Sequence, residues 1–218
     1  MSIVVIGNFD GVHKGHQQVL NRAKEIAGDE KIVALTFDPH PVSIFAPERT
    51  PTLLTILSDK IELLKIHNAD QVAVIKFTKE FAAMAPEEFV NKVLVEQLKA
   101  TTVIVGQNFT YGFKAAGNVQ SLAQHAEFKT IVLDLQSDAE VAISSTRIRS
   151  AIVNGDVESA REMLTRPHRL DGIVVHGEKR GREIGYPTAN LGNIDGQTIP
   201  ADGVYAGWLT VGIDRWPA

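Results

Sequence analysis

Along the first two thirds of the chain, short unbroken apolar runs alternate with stretches in which apolar residues recur every three or four positions. Ile3 to Ile6 has the character of a strand buried on both faces, and Val19, Leu20, Ala23, Ile26 and Ala27 follow at helical spacing. Lys31 to Phe37 predicts a second buried strand. Asp38-Pro39-His40-Pro41 ends it, because neither a central strand nor a helix interior accepts two prolines. A rigid loop is expected up to about Thr55, and Ser58 precedes a helical pattern with Ile61, Leu64 and Lys65. Gln71 to Ile75 reads as the third strand. Pro86 with Glu87 and Glu88 marks a helix start, continued by Phe89, Val93 and Leu98, before a fourth strand at Thr102 to Val105. A polar and aromatic loop from Gln107 to Asn118, a short helix from Ser121 to Phe128 and a fifth strand from Thr130 to Leu133 complete the alternation. Ile143 then leads to Ser144 and Ser145, good N-cap residues, and to a helix ending near Gly155. Asp156 caps a further short helix with Val157, Ala160 and Leu164.

Five strands alternating with helices predict an α/β fold with a doubly wound parallel sheet, whose ligand crevice lies at the carboxyl ends of the strands. Asn8, Asp38 and Asn108 each follow a strand and so belong on that one edge. The texture changes at Thr165-Arg166-Pro167. The 52 residues from Pro167 to Ala218 carry nine glycines and no helical periodicity, and Ile173 to Val175 and Val204 to Val211 read as strands flanking a glycine-rich loop. The expected domains are therefore 1–165, an α/β unit, and 166–218, the beginning of an all-β unit.

Composition narrows the chemistry. With 44% hydrophobic and 22% charged residues among 218, the chain can afford a packed core. Its net charge of −4 is dispersed, with no basic stripe for nucleic acid. Without cysteine there is no disulfide or thiolate chemistry, and a metal would bind through oxygen or imidazole. No apolar run approaches the ~20 residues that span a bilayer, and the start lacks a signal-peptide pattern. Small-molecule partners and a cytoplasmic location are the simplest expectations, with self-association left open.

The stretch from Gly7 to His16 holds the densest candidate chemistry. A strand, a glycine-containing turn and a helix N-terminus expose backbone N–H groups and a positive dipole end to an anion such as a nucleoside triphosphate. His13 and His16 lie on one helix face with Leu20 and can point at one ligand. The helix N-terminus biases both imidazoles toward neutral until phosphate arrives. The bland alternative makes one histidine a cap and the other a core residue. An i, i+3 metal pair lacks any nearby partner at ligand spacing except Asp10. Ser144-Ser145-Thr146-Arg147-Ile148-Arg149 is a second candidate anion site at a helix start. Thr146 and Ser145 share a face with Arg149, whereas Arg147 points roughly 200° away, so Arg149 ranks above Arg147 as a phosphate ligand. A serine cap with two solvated arginines is the alternative. Phe109, Tyr111 and Phe113 alternate and, if extended, form a row that either stacks on a planar heterocycle or packs over the sheet end. Asn108 is placed to bind a ligand or a metal-bound phosphate. Lys114 is either a phosphate contact or solvated.

Taken together, these segments resemble the prokaryotic bifunctional riboflavin kinase and FMN adenylyltransferase family, the FAD synthetases. The resemblance rests on Gly7 to His16 with its His-x-Gly-His core, Asp38 to Pro41, Val105 to Phe109, Ile143 to Arg149 and Gly181 to Asn190. It implies a Rossmann-like nucleotidyltransferase domain that moves AMP from ATP to FMN with Mg²⁺, releasing pyrophosphate and giving FAD. On that resemblance, His13 and His16 hold the ATP phosphates and stabilise the transition state, and Asn8 and Asp10 shape the turn. Asn108 contacts flavin phosphate or metal, and Ser145, Thr146 and Arg149 hold triphosphate and pyrophosphate. A partial flavokinase-like β-barrel follows, in which Thr188 and Asn190 bind Mg²⁺ and ATP and the loop from Gly177 to Gly185 covers phosphates. The family's later strands and catalytic glutamate do not appear before Ala218, so kinase activity on riboflavin is not expected of the chain as it stands. The competing readings are a nucleotidyltransferase for another acceptor, such as nicotinamide mononucleotide or phosphopantetheine, and a non-catalytic flavin- or nucleotide-binding module.

Overall fold

The computed structural model describes residues 1–134, 142–177, 185 and 188–218. Five parallel strands form the central sheet: β1 (Ser2–Ile6), β2 (Lys31–Asp38), β3 (Gln71–Lys76), β4 (Ala100–Gly106) and, after a small hairpin of β5 (Thr110–Tyr111) and β6 (Gly117–Asn118), β7 (Lys129–Leu133). Their order is β3-β2-β1-β4-β7. The chain therefore reverses direction across the sheet between β1 and β4, which opens the crevice at the carboxyl edge there. The expected α/β doubly wound sheet is the one observed.

Period-two alternation along each buried strand serves two cores at once. Val4, Ile6, Val33, Leu35, Val103 and Val105 face one side, where Phe89, Val90, Val93 and Leu94 cover them. These covering residues come from α5 (Pro86–Phe89), which continues as a π-helical stretch over Val90–Gln97. Ile3, Val5, Ile32, Ala34 and Ile104 face the other side, against Val19, Leu20 and Ala23 of α1 (Lys14–Ile26) and Leu64 of α3 (Leu57–Ile66). Each fully buried side chain of this size contributes about 1.5–3 kcal/mol relative to exposure. A third cluster joins Leu54 to Ile148 and Ile152 of α7 (Ser145–Val153) and to Ala160, Met163 and Leu164 of α8 (Val157–Leu164).

Three segments depart from expectation. The stretch expected as a rigid loop after β2 contains α2 (Pro41–Phe45) and a 3₁₀ turn at Pro47–Arg49, because Pro41 suits N1 and the His40 ring accepts from the Val42 N–H. The helix expected over Ser121 to Phe128 is α6 (Val119–Leu122). Asn118 and Ser121 form a reciprocal capping box that starts it earlier. A further single turn, α4 (Lys79–Ala82), capped by Thr78, is too short to show as periodicity.

Beyond α8, Thr165 adopts a left-handed conformation that ends the helix. Two antiparallel ladders follow, β8 (Ile173–Val175) with β9 (Asn190–Gly192), and β10 (Trp208–Val211) with β11 (Asp214–Pro217). The strand expected over Val204 to Val211 is confined to its last four residues. Most of Gly181 to Pro187, the core of the motif that ends at Asn190, lies outside the described residues.

Candidate active site

The turn between β1 and α1 is held in a conformation that side chains rarely adopt. Gly11 has φ +83°, and Phe9 and Val12, both buried, also have positive φ. A Cβ at Gly11 would lie 2.9 Å from Leu54, and one at Gly15 would crowd the His13 ring at 3.3 Å. Four of the turn's carbonyls accept from side chains. Thr36 and Lys60 donate to Asn8 O, Ser145 to Asp10 O at 2.9 Å, Arg166 to Gly11 O at 2.8 Å and Gln17 to Val12 O at 2.9 Å. Elements from several parts of the chain thus secure one strained corner.

His13 occupies the N-cap position of α1 but makes no side-chain capping bond. Its ring stacks on His16, with centroids 3.7 Å apart and planes 21° from parallel, and Phe9 meets His16 edge-on at 5.2 Å. Both Nδ1 atoms are buried without a hydrogen-bond partner among the described residues. Neither histidine is therefore the satisfied cap or core residue of the bland reading. Burial first, then the nearby Arg166 and Arg149, lower the His13 pKa to about 4, although Asp10 opposes the shift. Burial, His13 and Lys60 push His16 well below its ordinary value. The pair is neutral in the free protein at pH 7, the state expected of imidazoles at a helix N-terminus.

Asp10 links this corner to the second helix start. Its buried carboxylate accepts from the N–H groups of Leu54 and Thr55 and from Arg149, whose guanidinium lies 2.5 Å away. Arg149 also donates through Nε to Thr52 O. With five N–H donors in all, its guanidinium can meet a ligand as well. Ser144 caps α7 by accepting from the Arg147 N–H.

An open cavity of about 740 Å³ lies between these elements. Asn8, Asp10, His13, His16, Ser145, Thr146 and Arg149 line it together. Arg147 instead lines a separate cavity of about 320 Å³ with Ser150 and Asp156. The larger cavity is also lined by residues that the sequence motifs leave out of the site: His40, Val42, Phe45, Ala46, Arg49 and Pro51. Phe45 is 65% exposed, braced edge-on by Phe77. His40 faces the Asn8 side-chain amide at 3.3 Å. Because Nδ1 of His40 accepts from Val42, its Nε2 carries the proton, and the bond requires the amide oxygen of Asn8 on that side.

The aromatic row does not form as an extended ligand face. Tyr111 is 7% exposed and packs in the core against Phe89, with Phe109 stacked on it at 5.6 Å. Gly112, at φ +73°, turns the chain before Phe113, which is half-exposed beneath Lys114. Asn108 is exposed just beyond β4, on the carboxyl edge, and is not among the residues lining the cavity. Thr188 and Asn190 are exposed in the stretch that follows α8. They offer neutral oxygens, a set that suits Mg²⁺ only where nucleotide phosphates supply further ligands. No group of three His, Cys, Asp or Glu among the described residues could hold a metal ion.

The sequence family follows from comparison with known proteins. A family model described as FAD synthetase matches residues 1–147, and one described as riboflavin kinase matches 164–218. The chain belongs to the FAD synthetase family. Bifunctional riboflavin kinase/FMN adenylyltransferases from Listeria monocytogenes and Bacillus subtilis are 41% and 37% identical to it over 209 and 210 residues, and that from Escherichia coli K12 is 34% identical over 209. In each case the match covers 94% of this chain and 66% of the relative. The chain thus spans slightly less than two thirds of the length of these family members. A Streptococcus pneumoniae crystal structure described as a macrolide-efflux protein superposes with TM-score 0.89 at 32% identity, covering 99% of this chain and 72% of that one. Among the described residues of this family member, no helix is long and apolar enough to cross a membrane.

Proposed function

We propose that the chain catalyses adenylyl transfer from Mg·ATP to FMN, forming FAD and pyrophosphate. The observation that carries this reading is the stacked, neutral His13–His16 pair with unpartnered Nδ1 atoms, facing a cavity shared with Arg149 at two helix N-termini. A phosphate oxygen of FMN attacks the α-phosphorus of ATP, and the bond from that phosphorus to the bridging oxygen of the β-phosphate breaks. Pyrophosphate leaves. Bound Mg²⁺ would travel with the triphosphate and offset its charge. Triphosphate raises the proton affinity of both imidazoles, so that His13 and His16 donate hydrogen bonds where negative charge builds. Arg149, oriented by Asp10 and Thr52, and the hydroxyl of Thr146 hold the β- and γ-phosphates, while Ser145 fixes the turn through Asp10 O. Direct displacement needs positioning and charge stabilisation, and no covalent nucleophile.

On the acceptor side, the apolar wall of Val42, Phe45 and Pro51 suits a planar ring system. Asn108 stands on the same sheet edge for the acceptor phosphate. Thr188 and Asn190 belong to the separate phosphate and metal chemistry of a kinase unit. We place the boundary between the units at 165/166, where α8 ends. Residues 166–218, with apolar strands exposed, are not proposed to phosphorylate riboflavin unaided. Product chromatography after incubation with ATP, Mg²⁺ and either FMN, nicotinamide mononucleotide, phosphopantetheine or riboflavin tests each part. FAD is expected from FMN alone. Pyrophosphate release with another acceptor but none with FMN would overturn the choice of acceptor, binding of FMN without FAD would leave a binding module, and FMN formed from riboflavin would overturn the kinase statement.

A further inference from the structure

The two buried residues of α3 are Leu64 and, one turn earlier, Lys60. Lys60 is only 8% exposed, yet its ammonium faces neutral oxygens: the carbonyls of Asn8 and Phe37 at 3.3 and 3.4 Å, and the Thr36 hydroxyl at 3.5 Å. Among the described residues it forms no ion pair within 4.0 Å. A buried charge without a counter-ion is costly, and a fold that needed only to fill this space would be served as well by an apolar side chain. Its three acceptors are not scattered. Asn8 lies in the corner just past β1, and Thr36 and Phe37 end β2 just before the Asp38 to Pro41 segment that brings His40 and Val42 into the cavity.

We infer that Lys60 is a positioning residue for adenylyl transfer: it ties the ends of β1 and β2 together and holds a positive charge on neutral oxygens, within electrostatic reach of His16, for the triphosphate to answer. This rests on the adenylyl-transfer reading above. Burial lowers the Lys60 pKa from its ordinary value, and Asp10 and Asp38 oppose that shift by favouring the ammonium; His16 and His40 share its surroundings, and it opposes their protonation. His13 opposes protonation of His16 from the other side. Lys60 lines no part of the cavity itself, so its influence passes through Asn8 and through the field at His16.

The test compares the full chain with Lys60→Met, which keeps most of the volume without the charge, and with Lys60→Arg, which keeps the charge. Three quantities are read: thermal stability, affinity for inorganic tripolyphosphate by calorimetry, and FAD formation. Lys60→Met should remain folded at the assay temperature, because relief from burying the ammonium offsets part of the loss of its three hydrogen bonds. Its tripolyphosphate affinity and turnover should each fall about tenfold, the scale of one unit charge acting over about 12 Å at an effective dielectric of ~20. The His16 imidazole should titrate at higher pH by NMR. Lys60→Arg should recover most of the binding and leave the His16 titration low. Should Lys60→Met not fold, Lys60→Gln takes its place in every comparison. The proposal is overturned if the uncharged variant binds tripolyphosphate and turns over like the parent, or if both losses merely track a loss of folded protein in all variants. Parent protein that binds tripolyphosphate but makes no FAD would sink the reaction assigned above, while the binding comparison still decides the role of Lys60.

Discussion

Residues 1–165 and residues 166–218 treat apolar side chains in opposite ways. In the first region Ile3, Val4, Val5, Leu20, Leu35, Ile104 and Leu122 are all at most 1% exposed. In the second, Val204 and Ile213 are fully exposed, Trp208 and Trp216 about half so, and the two ladders share no strand. The first region has a sheet covered on both faces and can therefore hold a strained corner, two stacked neutral histidines and a buried ion pair. The second offers Thr188 and Asn190 without such a scaffold around them. A site needs a rigid surround before its residues acquire perturbed chemistry. The two regions nevertheless touch. Leu53 pairs through its backbone with Gly196 and Thr198, and the Thr52 and Thr198 hydroxyls meet at 2.9 Å, beside the carbonyl that orients Arg149.

The largest effect is expected at the buried pair. Asp10→Ala leaves the Arg149 guanidinium uncompensated and removes acceptors for Leu54 and Thr55, so urea unfolding should show a loss of about 3–5 kcal/mol; a loss below about 1 kcal/mol would mean that the corner is secured without Asp10. The same apolar truncation in both regions sharpens the contrast. Leu20→Ala should cost about 2–5 kcal/mol, and Val204→Ala should stay within about 0.5 kcal/mol, so similar costs would erase the distinction between them. His16→Ala should reduce FAD turnover by about 10² or more, the effect of losing one donor to developing charge. Near-normal turnover would reject its role.

A pH series probes the histidines without mutation. His13 has a folded pKa of about 4 against an ordinary 6.5, and His16, His40, His67 and His168 are also lowered, in each case chiefly by burial. Below about 6.5 the unfolded chain binds protons that the folded one refuses. Stability contributed by these groups is therefore complete above about pH 6.5 and is lost as pH falls from there through about 4. The urea midpoint should drop across that window, and a flat midpoint would contradict the burial of the pair. The smallest difference is expected between two arginines. Arg149→Ala should slow the reaction more than Arg147→Ala, and equal or reversed effects would misassign the face of α7 that meets phosphate.

Much of the first region is legible in the amino-acid sequence alone. Continuous apolar runs and helical periodicity are strong signals where a sheet is buried on both faces, and the ends of β1, β2 and β4 follow from them. His13, His16 and Arg149 stand out because glycines and helix starts surround them. The rest of the cavity lining does not. Phe45 belongs to a five-residue helix too short to show periodicity, and the ring that caps it, His40, lies in a segment that reads as loop. The row of Phe109, Tyr111 and Phe113 misleads because alternation predicts one face only while the backbone stays extended, and Gly112 ends that. Lys60 leaves one trace, a lysine four residues before Leu64 on the helix face that packs inward.

The proposed adenylyl transfer depends on the β1–α1 corner and the start of α7 and not on Thr188 or Asn190. The most direct test follows label from ATP radiolabelled at its α-phosphate into FAD in the presence of FMN, for the parent chain, His16→Ala, and a Thr188→Ala/Asn190→Ala double variant. Labelled FAD should form at the same rate with the parent and the double variant and be almost completely lost in His16→Ala. Unlabelled flavin from the parent, or a double variant as inactive as His16→Ala, would contradict that proposal.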